Sequence, residues 1–486
     1  MASSDSGFTE HREAGPVKIA ASGSVSSSTA HENKEDNGGV DRISELPEGI
    51  LVSILSLLTF KEAAQTSLLS SRWVNLWKLA VTELDFDAPK VMELLKFKRC
   101  LIPEKRIEFK KWVSRVVQQL NDLSPGSKQQ LTKFRVSFTL SNQCNSDGDI
   151  DGWLKFAISK RVESLDLSLV NYVQIRKSDN KNYLFPEDCF NHIKTPAGLS
   201  DIKSLRSLCL SFVDIKSETL EHFIANCPYL EELAVKMSWL LVKLRVAAAT
   251  GSSLKLKRLE VRRCRHLKSL EIDNVPCLTH FAYQGRQESV ELHLEKCISL
   301  VDVNIDFDCC RPGLVFHSIS HKAAQLATLT LRMEGDCLWF LNVAEFTHLE
   351  LLTVEIVNGS IDETIIGLAT LIHACPRLQT LRVLTSTYSA IKDSSARVLK
   401  PSVVRVGHES IKAVEIIGFK GYPVDCEFME YVLECFVGME RIVVDRSNPT
   451  GGMPNIPCSE KQLEEARQCA LKFKSRASPA IDFVVK

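Results

Sequence analysis

Leu256-Lys257-Arg258-Leu259-Glu260-Val261-Arg262-Arg263-Cys264-Arg265-His266-Leu267 is the stretch on which the fold turns. Leu259 and Val261 alternate with charged residues, the period of a strand with one buried face. The same L-x-x-L-x-[LVI] frame begins at Leu205, Leu230, Leu267, Leu300, Leu326, Leu349 and Leu378, and weaker copies run Val162–Leu167 and Val290–Leu294. No single copy can hide its apolar face, whereas stacked copies share one core, which predicts a solenoid. Copies starting at 205, 230 and 256 are 25 and 26 residues apart, but those at 256, 267 and 278 are only 11 apart. Eleven residues are too few for a strand and a helix, so this part of the solenoid is expected to carry strands on both sides of coils about 22 residues long. Elsewhere Glu218–Ala225 and Thr364–Ala374 read as helices, closed by Cys227-Pro228 and Cys375-Pro376.

N-terminal to the repeats, the composition changes twice. Residues 1–39 hold eight Ser, five Gly and no Leu, too little apolar surface to offset chain entropy, and read as a disordered tail. From Asp41 to Leu79, 19 of 39 residues are apolar, more than so small a bundle hides from water. Pro47 suits a first helical turn, and Ile50, Leu51, Ile54, Leu55 and Leu58 fall on one face of the helix it opens. Thr59-Phe60-Lys61-Glu62 is a capping box for a second helix. A third is expected from about Ser70, with Trp73 and Trp77 on one face. Residues 85–125 read as helical through Phe109, Trp112, Val113, Val116, Val117 and Leu120, and Ser124-Pro125-Gly126-Ser127 breaks the chain after them. At the other end, His408–Phe419 continues the strand pattern, a helix is expected from about Cys426 to Cys435, and Met439–Val444 is a further strand. Pro449–Pro457 reads as a loop and Glu460–Lys474 as a closing helix.

Three resemblances attach to these residues. The opening stretch, read to Leu267, matches the leucine-rich-repeat pattern, in which the cysteine is a buried turn residue. Asp41–Leu51, Ile54–Leu58, Lys61–Ser67, Leu69–Trp73 and Leu76-Trp77 closely resemble a plant-type F-box, with two departures: Thr59-Phe60 replaces the usual proline before Lys61, and Ser71 stands where lysine is common. Residues 408–444 resemble the FBD-type C-terminal region of plant F-box/leucine-rich-repeat proteins. The resemblance implies an α/β chain: an N-terminal three-helix F-box, then a leucine-rich-repeat solenoid with a curved sheet, convex helices and short strands. The expected divisions are 1–39 tail, 41–80 F-box, 85–127 helical linker, 131–400 solenoid and 401–486 FBD-like repeats and cap. It further implies docking on a SKP-family adaptor, and through it a cullin–RING ligase, by Leu46, Pro47, Ile50, Leu51, Ile54, Leu55, Leu58, Trp73 and Trp77. The solenoid would then hold an unknown protein target, as the substrate-recognition subunit of an SCF (Skp–cullin–F-box) ubiquitin ligase. The alternatives are a small-ligand-dependent F-box receptor, or an F-box scaffold outside the ligase.

Composition narrows the rest. Sixty basic residues balance sixty acidic ones, which excludes a globally basic nucleic-acid binder. No run approaches 18 apolar residues, so no membrane span is expected. Sixteen cysteines without a secretory leader or any C-x-x-C read as reduced thiols of the cytoplasm and/or nucleus, with no metal site and no cofactor; the Asn358-Gly359-Ser360 sequon is then silent. No P-loop, G-x-S-x-G, H-E-x-x-H or dinucleotide turn is present, and Cys309-Cys310 has no neighbouring base, so no catalytic residue is assigned. One cluster has two readings. Lys255, Lys257, Arg258, Arg262, Arg263, Arg265 and Lys268 surround a single Glu260, with Arg258 and Arg262 on the exposed face. Those two arginines either hold an anionic ligand or a phosphorylated target segment, or are a solvated rim paired with Glu271 and Asp273.

Overall fold

The buried face of each repeat strand meets the same face of the next, in register. In the computed structural model the described residues are 43, 45–122, 131–170, 182–186, 202–247, 253–285, 290–307, 319, 322–333, 345–357, 361–386, 407–447 and 459–486. The expected tail, the break at Ser124–Ser127, the loop at Pro449–Pro457, the Asn358 sequon and Cys309-Cys310 lie outside them. Contacts divide the chain into Met1–Leu46 and Pro47–Lys486. In the first, the Leu46 N–H donates to the Ile43 carbonyl at 3.1 Å.

The second unit opens with helices α1 (Glu48–Leu55), α2 (Phe60–Gln65) and α3 (Leu76–Ala80). Strand β1 (Glu83–Asp87), helices α4 (Pro89–Phe97) and α5 (Ile102–Asn121), strand β2 (Lys133–Ser137), helix α6 (Asp149–Ser159) and strand β3 (Ser164–Ser168) follow. Next come β4 (Tyr183–Leu184), β5 (Ser207–Ser211), β6 (Val213–Asp214), helix α7 (Ser217–Asn226) and β7 (Glu232–Lys236). Then β8 (Lys243–Ala247), β9 (Arg258–Arg262), β10 (Ser269–Asp273), β11 (His280–Gly285), β12 (Glu291–Glu295) and β13 (Asp302–Phe307) form a run without helices among the described residues. The chain continues through β14 (Thr328–Met333), β15 (Leu351–Val357), helix α8 (Ile361–His373), β16 (Thr380–Ser386) and β17 (Ala413–Ile417). It ends with α9 (Pro423–Cys435), β18 (Arg441–Asp445), α10 (Glu460–Arg476) and β19 (Asp482–Val485).

Fourteen of these strands make one sheet, in the order β1-β2-β3-β5-β7-β9-β11-β13-β14-β15-β16-β17-β18-β19, and its described pairings are parallel. Register stacks Leu208, Leu233, Leu259, Phe281, Val303 and Leu329 in one buried row, and Leu210, Val235, Val261, Tyr283, Ile305 and Leu331 in another. A buried leucine contributes about 1.5–3 kcal/mol, so these rows are the main stabilising feature of the solenoid. Where the repeats are 11 residues apart, alternate strands leave the large sheet: β8, β10 and β12 pair as a second, three-stranded sheet. Strands on both sides of short coils were the expectation there, and the architecture is the leucine-rich-repeat solenoid.

Five strands are each followed directly by a residue with left-handed backbone: Phe212, Met237, Arg263, Asn274 and Lys296, with φ of 50–58°. The next residue, Val213, Ser238, Cys264, Val275 or Cys297, is buried. One positive-φ residue thus turns the chain off the sheet and drops a small side chain into the core, at a backbone cost of about 1–3 kcal/mol for a non-glycine residue.

Three expectations are corrected. Residues 85–87, the start of the expected helical linker, are not helical but belong to β1, the first strand of the large sheet, because Leu84 and Phe86 alternate inward. The third helix begins at Leu76 rather than Ser70, and Trp73 lies in the turn before it. The closing element is not α10 alone, since β19 follows it and completes the sheet.

Candidate functional site

Pro47 is the N-cap of α1, and the helix it starts has two apolar faces. Leu51 and Leu55 point inward and are fully buried in the packing of α1 against α3. Ile50 and Ile54, one turn apart, point outward with 50% and 39% of their surface exposed, and Leu58 is 39% exposed beyond them. Of twenty large apolar side chains exposed among the described residues, eight fall within 50–79: Ile50, Ile54, Leu57, Leu58, Leu68, Leu69, Val74 and Leu79. Exposed apolar residues gathered in this way are characteristic of interaction surfaces. The residues expected to meet an adaptor divide by burial. Pro47, Ile50, Ile54 and Leu58 are on the surface, whereas Leu51, Leu55, Trp73 and Trp77 are buried in the packing of the helices. Leu46, in the short N-terminal unit, is half-buried. Exposed Leu57, Leu68 and Leu69 were missed, because they fall off the helical period in turns and a 3-10 segment.

The capping box forms as expected. The Thr59 hydroxyl and N–H donate to the Glu62 carboxylate at 2.8 and 3.0 Å, and these bonds hold Glu62 below the usual carboxylate range. Phe60, the first residue of α2, then reaches into the first repeat. Its ring lies 5.0 Å from Phe86 on β1 and 6.0 Å, stacked, from Trp112 on α5, while Phe86 and Trp112 meet edge-on at 5.2 Å. Lys61 pairs with Asp87 and sits 5.5 Å above the Trp112 ring. Aromatic pairs of this geometry add about 0.5–1.5 kcal/mol each beyond burial. The three helices and the first repeat are accordingly one packed body.

On the open face of the large sheet, charges are braced from strand to strand. Arg135 spans Asp85 at 3.1 Å and Asp166 at 3.2 Å, Arg332 spans Asp306 and Glu355 at 3.1 Å each, and Arg382 meets Glu415 at 2.7 Å. Arg258 pairs with Glu232 at 3.2 Å, and Arg262 with Glu260, which Lys236 also holds at 2.6 Å. Burial works against the Glu260 carboxylate, but the hydrogen bonds and charges of Lys236 and Arg262 outweigh it and keep its pKa below the usual range. Lys257 bonds Glu231 at 2.6 Å, Lys255 lies 4.8 Å over the Tyr229 ring, and Arg265 lies 5.5 Å from that of Trp239. Within the basic cluster, Lys257, Arg258 and Arg262 are thus each paired with a carboxylate, whereas Lys255 and Arg265 lie over aromatic rings. Glu271 and Asp273 are not the partners of Arg258 and Arg262: they belong to β10 in the smaller sheet, where Asp273 faces Arg245 and Lys296. Along the middle of the open face, between these charges, Cys209, Ala234, Ala282, Asn304, Thr330 and Thr353 share register rows of small uncharged side chains around Glu260. No helix among the described residues is long and apolar enough to cross a membrane.

Comparison with known proteins matches family models to two stretches of the chain. Residues 123–484 match the model of the At1g61320/AtMIF1 LRR domain, and residues 43–80 match that of the F-box domain. The chain is similar to the Arabidopsis thaliana F-box/FBD/LRR-repeat protein At4g26340, at 25% identity over 81% of this chain and 90% of that protein. It is also similar to the FBD-associated F-box protein At3g52670, at 26% identity over 73% of this chain and 75% of that one, and to F-box protein At3g59000, at 31% over 50% and 48%. Both of the latter are from Arabidopsis thaliana.

Proposed function

The chain belongs to the plant F-box/leucine-rich-repeat family, with FBD-like features, and from that premise we propose that it is the substrate-recognition subunit of an SCF ubiquitin ligase. The observation that carries this reading is the row of outward apolar residues Pro47, Ile50, Ile54 and Leu58. They fit a SKP-family adaptor, which would link the chain to a cullin–RING ligase. The open face of the solenoid sheet would hold the target protein. Because the helices and the first repeat share the Phe60–Phe86–Trp112 cluster, a target held on that face stays at a set distance and angle from the adaptor. The chain then contributes proximity and orientation, with bond chemistry left to other subunits. It would act in the cytoplasm and/or nucleus. The test is co-purification with a SKP-family adaptor and a cullin. Wild-type protein is expected to recover both, and Ile50→Asp/Ile54→Asp neither; recovery of the adaptor without a cullin would favour a scaffold outside the ligase, and undiminished capture by the variant would refute the docking row.

A further inference from the structure

The start of α9 and the middle of α10 bring two thiols together: Cys426 Sγ and Cys469 Sγ are 3.3 Å apart. Backbone builds this contact. Gly421, at φ +74°, lies so close to α10 that a Cβ there would stand 3.2 Å from the Cys469 Cβ and 3.5 Å from the Ala466 Cα. Its carbonyl faces Cys426 Sγ at 3.7 Å, and the Asp425 carboxylate braces the same turn by accepting from the Lys420 and Tyr422 N–H groups at 3.0 and 3.1 Å. The helices therefore approach through a residue without a side chain, and the sulfurs meet as a result. Both cysteines are half-buried, so each keeps part of its surface in contact with solvent. Cys469 also borders a shallow hollow lined by Lys461, Glu464, Glu465, Gln468 and Lys472.

We propose that Cys426 and Cys469 are a reversible disulfide site, closed by a peroxide-class oxidant and reopened by a thiol reductant. The Cys469 thiolate attacks one peroxide oxygen; an S–O bond forms, the O–O bond breaks, and the departing oxygen leaves as water after taking up a proton. The Cys426 sulfur then attacks the Cys469 sulfur; the S–S bond forms, the S–O bond breaks, and a second water carries off the remaining proton. Two thiols lose two electrons and two hydrogens in all, and the peroxide is reduced to two waters. Burial, together with the Cys469 thiol beside it, pushes the Cys426 thiol up to about 12, so the fold holds Cys426 as an uncharged thiol before oxidation. Since α10 leads into β19, the last strand of the large sheet, closing the bridge pins the end of the solenoid to α9.

The full chain is titrated with hydrogen peroxide, alkylated, digested and mapped by mass spectrometry, with melting followed in parallel. A Cys426–Cys469 linked peptide is expected to replace both alkylated peptides at doses that spare most other thiols. Dithiothreitol should reverse it, and melting should rise by several degrees in the oxidised form. Cys469→Ser should lose the link and the rise together, whereas Cys100→Ser, at an exposed cysteine, should keep both. Cys426 and Cys469 remaining fully alkylated at a dose that oxidises Cys100 would overturn the proposal, and the mapping needs no variant to show it. A link without any rise in melting would overturn its role as a clamp.

Discussion

Ile50 and Leu51 are neighbours in sequence with opposite fates, and paired substitutions separate them. Ile50 and Ile54 each leave roughly half or less of their surface in water, 50% and 39%. Full burial of such a side chain is worth about 1.5–3 kcal/mol, so covering what remains exposed contributes about 1 kcal/mol each. Ile50→Ala/Ile54→Ala should therefore weaken adaptor binding by about 2 kcal/mol, roughly 30-fold in Kd, while folding stability moves by less than about 0.5 kcal/mol per surface site. Leu51, with no exposed surface, behaves the other way. Leu51→Ala should cost about 2–5 kcal/mol of folding stability through transfer and cavity terms, and leave the Kd of the folded fraction unchanged. Calorimetric titration of purified adaptor, with thermal denaturation of the same samples, reads both quantities. If Leu51→Ala lowers affinity more than the double variant while melting normally, the inward assignment of Leu51 is wrong and the docking face must be redrawn.

Phe60→Ala removes the ring that joins α2 to Phe86 and Trp112, and should cost about 3–5 kcal/mol; calorimetry is expected to show an early transition for the helices, and a single unshifted transition would refute the joint. Asp425 is buried and its pKa is raised to about 6, mainly by desolvation. Its neutral form is thus favoured in the fold, so its contribution is fully present below the unfolded value near 3.8 and is lost as pH rises through about 6, a change of about 3 kcal/mol. Asp425→Asn should remove that slope and stabilise the protein above pH 6; an unchanged profile in pH-dependent denaturation would contradict it. Gly418, at φ +89°, would place a Cβ 2.3 Å from the Thr385 carbonyl oxygen. Gly418→Ala should therefore destabilise the C-terminal coils by more than about 2 kcal/mol, measurable as a lower denaturant midpoint.

The repeats were legible because their leucines occupy one face at a fixed period, so Leu205–Leu210, Leu230–Val235 and Leu256–Val261 all became neighbouring strands. Even the 11-residue spacing carried its meaning, since strands on both sides are the geometry that fits it. Short strands with few apolar residues were not legible: Glu83–Asp87 offers only Leu84 and Phe86, and Asp482–Val485 only three apolar residues after a long helix. Periodicity also shows that α1 is apolar without showing which of two adjacent stripes faces in. Ile50 and Leu51 differ by 100° around the helix and hardly at all in hydrophobicity, and only the position of α3 decides between them. The basic cluster misled for a related reason, because Glu232 and Glu231 are near in space and about 26 residues away in sequence. The turn residues Phe212, Met237, Arg263 and Lys296 carry no composition signal, being ordinary side chains in a conformation usually given to glycine.

The aromatic joint has a consequence for the order in which the protein is made. Phe60 leaves the ribosome well before Phe86 and Trp112, its partners in the packed cluster. The three helices stay without that cover until α5 has emerged, so the first stable intermediate needs about 120 residues of nascent chain and includes β1. At about 5–20 residues per second, the rest of the chain takes roughly 20–70 s more to synthesise. During that interval each new coil needs only its predecessor as a template. The outward apolar row on α1 is then complete while most of the open face of the large sheet does not yet exist. On the proposed reading, an adaptor arriving during synthesis would meet a finished surface, and would cover exposed apolar residues of α1 while the solenoid is still growing.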